Sequence, residues 1–195
     1  VGTTPGQYSE WILMPDSSPI WDLTDLYSNI ADTAIAADIA ASRDAAKGLA
    51  DLWRGKLSEA DGPQLAALIA EYERILEVLG KAASHAQLEF AANTTDADVA
   101  RHHQSIREAG AEIGAELLFM ELELANLPQE RIDELVKTPE LAHWMPWLRR
   151  VRAMAPYQLA PDMERMLAER APTGRGAWVR PVSYTHLTLP TNGLV

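Results

Sequence analysis

QLAALIAEYERILEVLGKAASHAQLEFAANTTDADVARHHQSIREAGAEIGAELLFMELELANL, residues 64–127, is the longest proline-free run of the chain, and its reading decides the fold. Apolar residues recur in it at spacings of three and four, the period of a helix with one buried face. The first half predicts a helix from about Gln64 to Ala92. Its stripe is Leu65, Leu68, Ile69, Tyr72, Ile75, Leu76, Leu79, Ala83, Ala86 and Phe90. Asn93-Thr94-Thr95 makes the turn, and Thr95 followed by Asp98 resembles a capping box. The second helix runs from about Asp96 to Ala125, with Val99, His103, Ile106, Gly110, Ile113, Leu117, Met120 and Leu124 on its seam. Two such stripes joined by a short turn form an antiparallel, coiled-coil-like pair. At 1.5 Å per residue each helix is about 45 Å long, which suits one wall of a larger elongated structure.

Working outward, the pattern stays helical. Ile35, Ile39, Ala46, Leu49 and Trp53 share a face between Asp32 and about Lys56, and Gly62-Pro63 reads as the stop after it. Pro128 starts a short helix through Val136. Thr138-Pro139-Glu140 has the form of an N-cap with proline at the first helical position, opening a helix that carries Trp144, Trp147, Leu148 and Val151. Met163, Met166 and Leu167 mark a last helix ending near Arg170. Residues 1–30, with Pro5, Pro15 and Pro19, read as an extended N-terminal arm with turns. Trp11, Trp21, Leu23, Leu26 and Tyr27 are its apolar anchors, and Asp22 and Asp25 are candidate caps for a short turn. Residues 181–195 hold no charged side chain and no helical period; the run resembles translated sequencing-adapter DNA, with a natural hairpin as the alternative. The expectation is an all-α, elongated helical bundle over residues 31–180, preceded by the arm and followed by a non-native-looking or disordered tail.

Composition narrows the function classes. Residues 1–142 carry 10 basic and 25 acidic side chains (−15), while residues 143–195 carry 7 arginines against 3 acids (+4). An acidic body repels phosphate backbones, so nucleic acid is not an expected partner. Arg149, Arg150 and Arg152 read as a solvated or salt-bridged face, or as a docking surface for an acidic partner. The absence of cysteine removes disulfides, thiolate metal sites and a cysteine nucleophile, and fits a cytoplasmic location. No apolar run approaches the roughly 20 residues of a membrane span, so no membrane association is expected. The first residue is Val1, so the true start is expected upstream or at an alternative start codon.

Candidate chemistry is sparse. None of His85, His102, His103, His143 and His186 is followed by glutamate, so there is no H-E-x-x-H, the helical motif that supplies two zinc ligands and a base. His85 and Glu89, four apart, form a possible half-site for a metal, to which His102-His103 of the next helix would add; packing histidines are the plainer reading, with His103 on the seam and His102 pointing elsewhere. Glu140-Leu141-Ala142-His143 is a single E-x-x-H, where a di-iron bundle needs two. Glu71, Glu73 and Glu77, with Glu121 and Glu123, read as solvated faces and not as an acid–base pair. Gly110 and Gly114 read as a site of close helix approach. No catalytic, cofactor-binding or metal residue is assigned.

Several segments in order resemble the N-terminal lobe of oligoendopeptidase F, a zinc metallopeptidase family of the thimet oligopeptidase-like group. They are Trp21-Asp22-Leu23-Thr24-Asp25-Leu26-Tyr27, Leu52-Trp53-Arg54-Gly55-Lys56-Leu57 and Phe119-Met120-Glu121-Leu122-Glu123-Leu124. Leu148-Arg149-Arg150-Val151-Arg152 with Pro156-Tyr157-Gln158-Leu159 is similar to an R-P-H-x-L-S region, with Tyr157 where the family shows histidine. Thr173-Gly174-Arg175-Gly176-Ala177-Trp178 is similar to the T-G-R-x-A-W run before the family's catalytic lobe. The resemblance implies a two-lobed helical shell around a channel that admits oligopeptides. Zinc and its ligands would lie in the second lobe, so none is expected in this chain and it is expected to be inactive alone. It also implies an exposed apolar patch where the second lobe packs, for which Trp144, Trp147 and Trp178 are candidates. The competing reading is a non-enzymatic helical module that docks partners on its long helix pair.

Overall fold

The computed structural model describes residues 21–174 and residue 177. Six α-helices follow in order among them: α1 (Thr33–Trp53), α2 (Gly62–Ala92), α3 (Ala97–Ala125), α4 (Gln129–Leu135), α5 (Met145–Met154) and α6 (Pro161–Arg170). Short 3-10 turns lie at Leu57–Glu59, Pro139–Trp144 and Ala155–Tyr157. The described residues hold no strand, so the class is all-α as the periodicity indicated. Trp11, Trp178 and the tail 181–195 lie outside the described residues.

Each long helix starts where its capping chemistry dictates. Asp32 caps α1 by accepting from the Ala34 N–H at 2.9 Å. Gly62-Pro63 turns out to begin α2 and not to stop the segment before it. Asp61 accepts from the Gln64 N–H at 2.8 Å and the Gln64 side chain accepts from the Asp61 N–H at 3.0 Å, a complete capping box. Proline is harmless in that first turn, because its missing N–H would have had no helical partner. At α3 the cap is Asp96, which accepts from Asp98 and Val99, and not Thr95. Thr95 stands one residue too early to reach those donors.

α1, α2 and α3 form an up-down-up bundle. Tyr72 of α2 reaches Glu121 of α3 while Phe90 stacks on His103, so α2 and α3 run antiparallel. Arg43 meets Glu112 and Arg54 meets Glu116, so α1 and α3 run parallel. The core lies between them: Ile35, Ile39, Ala46, Leu65, Ile69, Ile75, Ala82, Ile113, Leu117, Met120 and Leu124 are buried. Full burial of one such aliphatic side chain stabilises by about 1.5–3 kcal/mol. The exposed Arg43–Glu112 pair contributes at most about 1 kcal/mol, so packing and not ion pairing sets the bundle.

Some details depart from the sequence pattern. On α2, Ala83 and Leu76 are exposed, while Ala82 and His85 are buried. α1 and α3 both press on α2, so its buried arc is wider than one stripe and Leu65-Ala66 and Leu68-Ile69 bury adjacent residues. On α1, Ser42 and Ala50 join the core, while Leu49 and Trp53 are half-buried. A Cβ added at Gly110 or Gly114 meets no atom within 4 Å, so the G-x-x-x-G is not a close helix approach. Gly62 is where close approach occurs: a Cβ there would overlap the Thr138 side chain.

Candidate functional site

Two of the segments that carry the family resemblance, residues 52–57 and 119–124, meet in space at the end of α1. The chain leaves α1 through Gly55, whose φ of 82° is the left-handed region that glycine adopts without strain. Its N–H donates to Glu123 Oε1 at 2.7 Å, and the Leu57 N–H donates to Glu123 Oε2 at 3.3 Å. One carboxylate on α3 therefore satisfies two backbone donors of the turn. Beside it the Arg54 guanidinium lies 5.6 Å from the Phe119 ring centroid and donates to the Glu116 carbonyl and carboxylate. Glu116 also accepts from Arg165 of α6 at 3.3 Å. Thus the R-G-K-L turn and the F-x-E-L-E-L segment lock each other, and Glu123 is a structural clasp, not a solvated acid.

The third segment works in the same way. Arg152 donates to the Leu127 carbonyl at 2.7 Å and to Gln129 at 2.9 Å, which fixes the passage from α3 into α4. Arg149 and Arg150 are exposed. Arg131 reaches the Ala60 carbonyl and ties α4 to the loop before α2. In the opening motif, the Asp22 side chain accepts from the Thr24 N–H at 3.0 Å, and Leu26 and Tyr27 turn back onto the Leu23 carbonyl. Tyr27 is buried, Leu26 packs partly against the core, and Trp21 is 73% exposed, so Trp21 does not anchor the arm.

Glu71, Glu73 and Glu121 are also partnered, while Glu77 is exposed as a solvated acid. Glu71 is bridged by Arg74 at 2.7 Å, which holds its carboxyl below the usual range. Glu73 accepts from the Trp144 indole N–H at 3.1 Å. Glu121 accepts from the Tyr72 hydroxyl at 3.2 Å; burial, with that carboxylate, pushes the phenol far upward. Glu140 and His143 are both exposed on the 3-10 turn near the start of α2, far along that helix from His85.

The histidines assemble differently from the sequence expectation. His85 is fully buried, with Glu89 3.7 Å from its Nε2. It is His102 that approaches His85, with ring centroids 6.4 Å apart, while His103 stacks on Phe90 at 4.8 Å. Among the described residues no group of three or more His, Asp or Glu side chains is arranged to hold a metal ion.

α6 is turned inside out. It buries none of its residues, and its apolar side chains Met163, Met166 and Leu167 are 49%, 43% and 51% exposed. Tyr157 at 77% and Leu159 at 46% are also exposed in the chain just before it. Its inner side closes a cleft of about 230 Å³ lined by Arg54, Phe119, Leu122, Asp162 and Arg165. Trp144 and Trp147, expected to be the exposed patch, are instead half-buried; Trp147 lies 5.7 Å from Tyr72, and both pack against the core. Among the described residues no helix is long and apolar enough to cross a membrane.

Residues 123–181 match the family model of the M3 peptidase N-terminal domain, described as oligopeptidase F. This is the family that the motifs resemble. The matched segment runs from the Glu123 clasp through α4, α5 and the outward-facing α6. No curated protein and no solved structure matches the chain.

Proposed function

We propose that this chain is the N-terminal part of a zinc-dependent oligoendopeptidase, a helical lobe that helps to enclose short peptides while a separate lobe performs the cleavage. The match over residues 123–181 carries this reading. The outward face of α6, inside that segment, supports it. Met163, Met166 and Leu167, at positions i, i+3 and i+4 of one helix and exposed, suit a packing face for another structural unit. The donor set of the described residues does not fit a zinc centre, because the histidine pair has one nearby carboxylate and the sequence lacks H-E-x-x-H. No step of hydrolysis is therefore assigned to a residue of this chain. Its own contribution is architectural: the Arg152 and Arg131 ties fix how α4 and α5 leave the bundle, and the Arg165–Glu116 pair holds α6, and so the orientation of the face offered to the second lobe. Oligopeptides would be the substrates of the complete cytoplasmic enzyme, and the acidic body gives nucleic acid nothing to hold.

The test uses the purified chain and the uninterrupted source gene. The chain alone is expected to bind no stoichiometric zinc by elemental analysis and to leave a quenched fluorescent peptide uncut. The gene is expected to continue into H-E-x-x-H. Chelator-sensitive peptide turnover by this chain alone overturns the proposal. A gene that stops without the motif does so too, in favour of a helical interaction module.

A further inference from the structure

His85 is a costly residue in its position. It is fully buried in the helix bundle, and neither ring nitrogen has a hydrogen-bond partner. His102 Nε2 is likewise buried and unpartnered. Each such atom costs about 1–3 kcal/mol relative to a satisfied one, a penalty that an aliphatic side chain would avoid. The pair also sits where the N-terminal turn is fastened. The Tyr27 ring meets His85 edge-on at 5.4 Å, its hydroxyl donates to Asp38 of α1 at 2.8 Å, and the Lys81 ammonium lies 4.2 Å from its ring centroid. His102 lines an open groove of about 430 Å³ with Asp32, Ile35 and Ile39 of α1, so solvent reaches one member of the pair.

We propose that the His85–His102 pair is a proton-operated latch that frees the Tyr27 turn and the start of α1 from the α2–α3 hairpin as the pH falls. The groove wets the outer edge of His102, but His85 and the His102 Nε2 are shut from it, and a proton placed between them reaches water when α1 separates from the hairpin. The charged and titratable groups around the pair divide in their effect. Lys81 of α2 opposes a proton, and each imidazole opposes a proton on the other. Glu89 of α2 and, from the α1 side, Asp32 and Asp38 favour one. Burial prevails at His102: desolvation first, and the neighbouring His85 second, hold it below the ordinary histidine value against the pull of Glu89. A histidine held neutral in the fold contributes its full stability above the unfolded value of about 6.5. That contribution is lost as the pH falls below it, because the opened state takes up the proton first.

Hydrogen exchange of the whole chain, corrected for intrinsic rates, tests the latch. In the wild type the opening constant of residues 26–40 is expected to rise about 30-fold between pH 7.5 and pH 5, the limit for one histidine that titrates only when open. His85→Leu combined with His102→Gln should fold at least as stably at pH 7.5 and flatten that rise to a few-fold. Imidazole NMR of the wild type supplies the second measurement, with His102 expected to titrate below free histidine. The latch is refuted if His102 titrates at or above the free value, or if the double variant keeps the wild-type pH dependence.

Discussion

Glu123→Ala removes both acceptors of the turn after α1 at once. The Gly55 and Leu57 N–H groups, held at 2.7 and 3.3 Å, lose a carboxylate that the bundle positions for them. A hydrogen bond to a charged group contributes about 1.5–3 kcal/mol. The Leu57 bond is long, and the exposed Gly55 N–H regains water, so the loss should fall at or below the bottom of the summed range of about 3–6 kcal/mol, at about 2–3 kcal/mol. For a domain of this size that lowers Tm by roughly 5–10 °C. Glu123→Gln keeps one oxygen acceptor and should lose about half as much. Urea unfolding followed by circular dichroism at 222 nm gives the free energies. The α1–α3 contacts should loosen selectively, so hydrogen exchange should speed up at residues 53–58 before the α2–α3 pair is affected. A change below about 0.5 kcal/mol for Glu123→Ala, the size of an ordinary surface substitution, would refute the clasp.

Two further predictions rest on single residues. Gly62→Ala places a methyl group inside the Thr138 side chain and should destabilise by about 1–3 kcal/mol; Gly62→Ala with Thr138→Ala should recover most of the loss, and chemical denaturation of the four proteins of that cycle checks it. Asp32 is held below the ordinary carboxylate value of 3.8, first by the Ser28 N–H and then by the Ala34 N–H and the Ser28 hydroxyl. Its stabilising effect is present above that value and disappears as the pH falls through the lower folded value. The stability gap between wild type and Asp32→Ala should therefore be open at pH 7 and close below pH 3.8, as read from thermal melts across pH.

The long elements were legible because their signals are local. A proline-free run, a helical stripe and the Asn93-Thr94-Thr95 turn placed α2 and α3 to within two residues at each end. The errors came where a third body intervened. A stripe drawn for a two-helix seam cannot show that α1 also covers α2, so the buried positions Ala82 and His85 went unread and the exposed Ala83 was included. Thr95 and Asp96 are adjacent cap-forming residues, and only the backbone geometry chooses between them. Glu123 looked like any acid on an alternating helix, since its partners are backbone amides 68 and 66 residues away. Gly55 between Arg54 and Lys56 was the available hint, because a glycine just past a helix end asks what receives its N–H. The polarity of α6 was visible as a methionine–leucine stripe, but the stripe says nothing of whether it faces inward or outward.

The Glu123 clasp also sets an order of events during synthesis. The turn after α1 leaves the ribosome with its donors unmet, and the receiving carboxylate lies 68 residues downstream. At about 5–20 residues per second that interval is roughly 3–14 s. During it α1 has no parallel neighbour and its apolar face is open to chaperones or to a nascent chain nearby. The first helix is made early and finished late, so a pause in translation between α1 and α3 lengthens the period of greatest exposure.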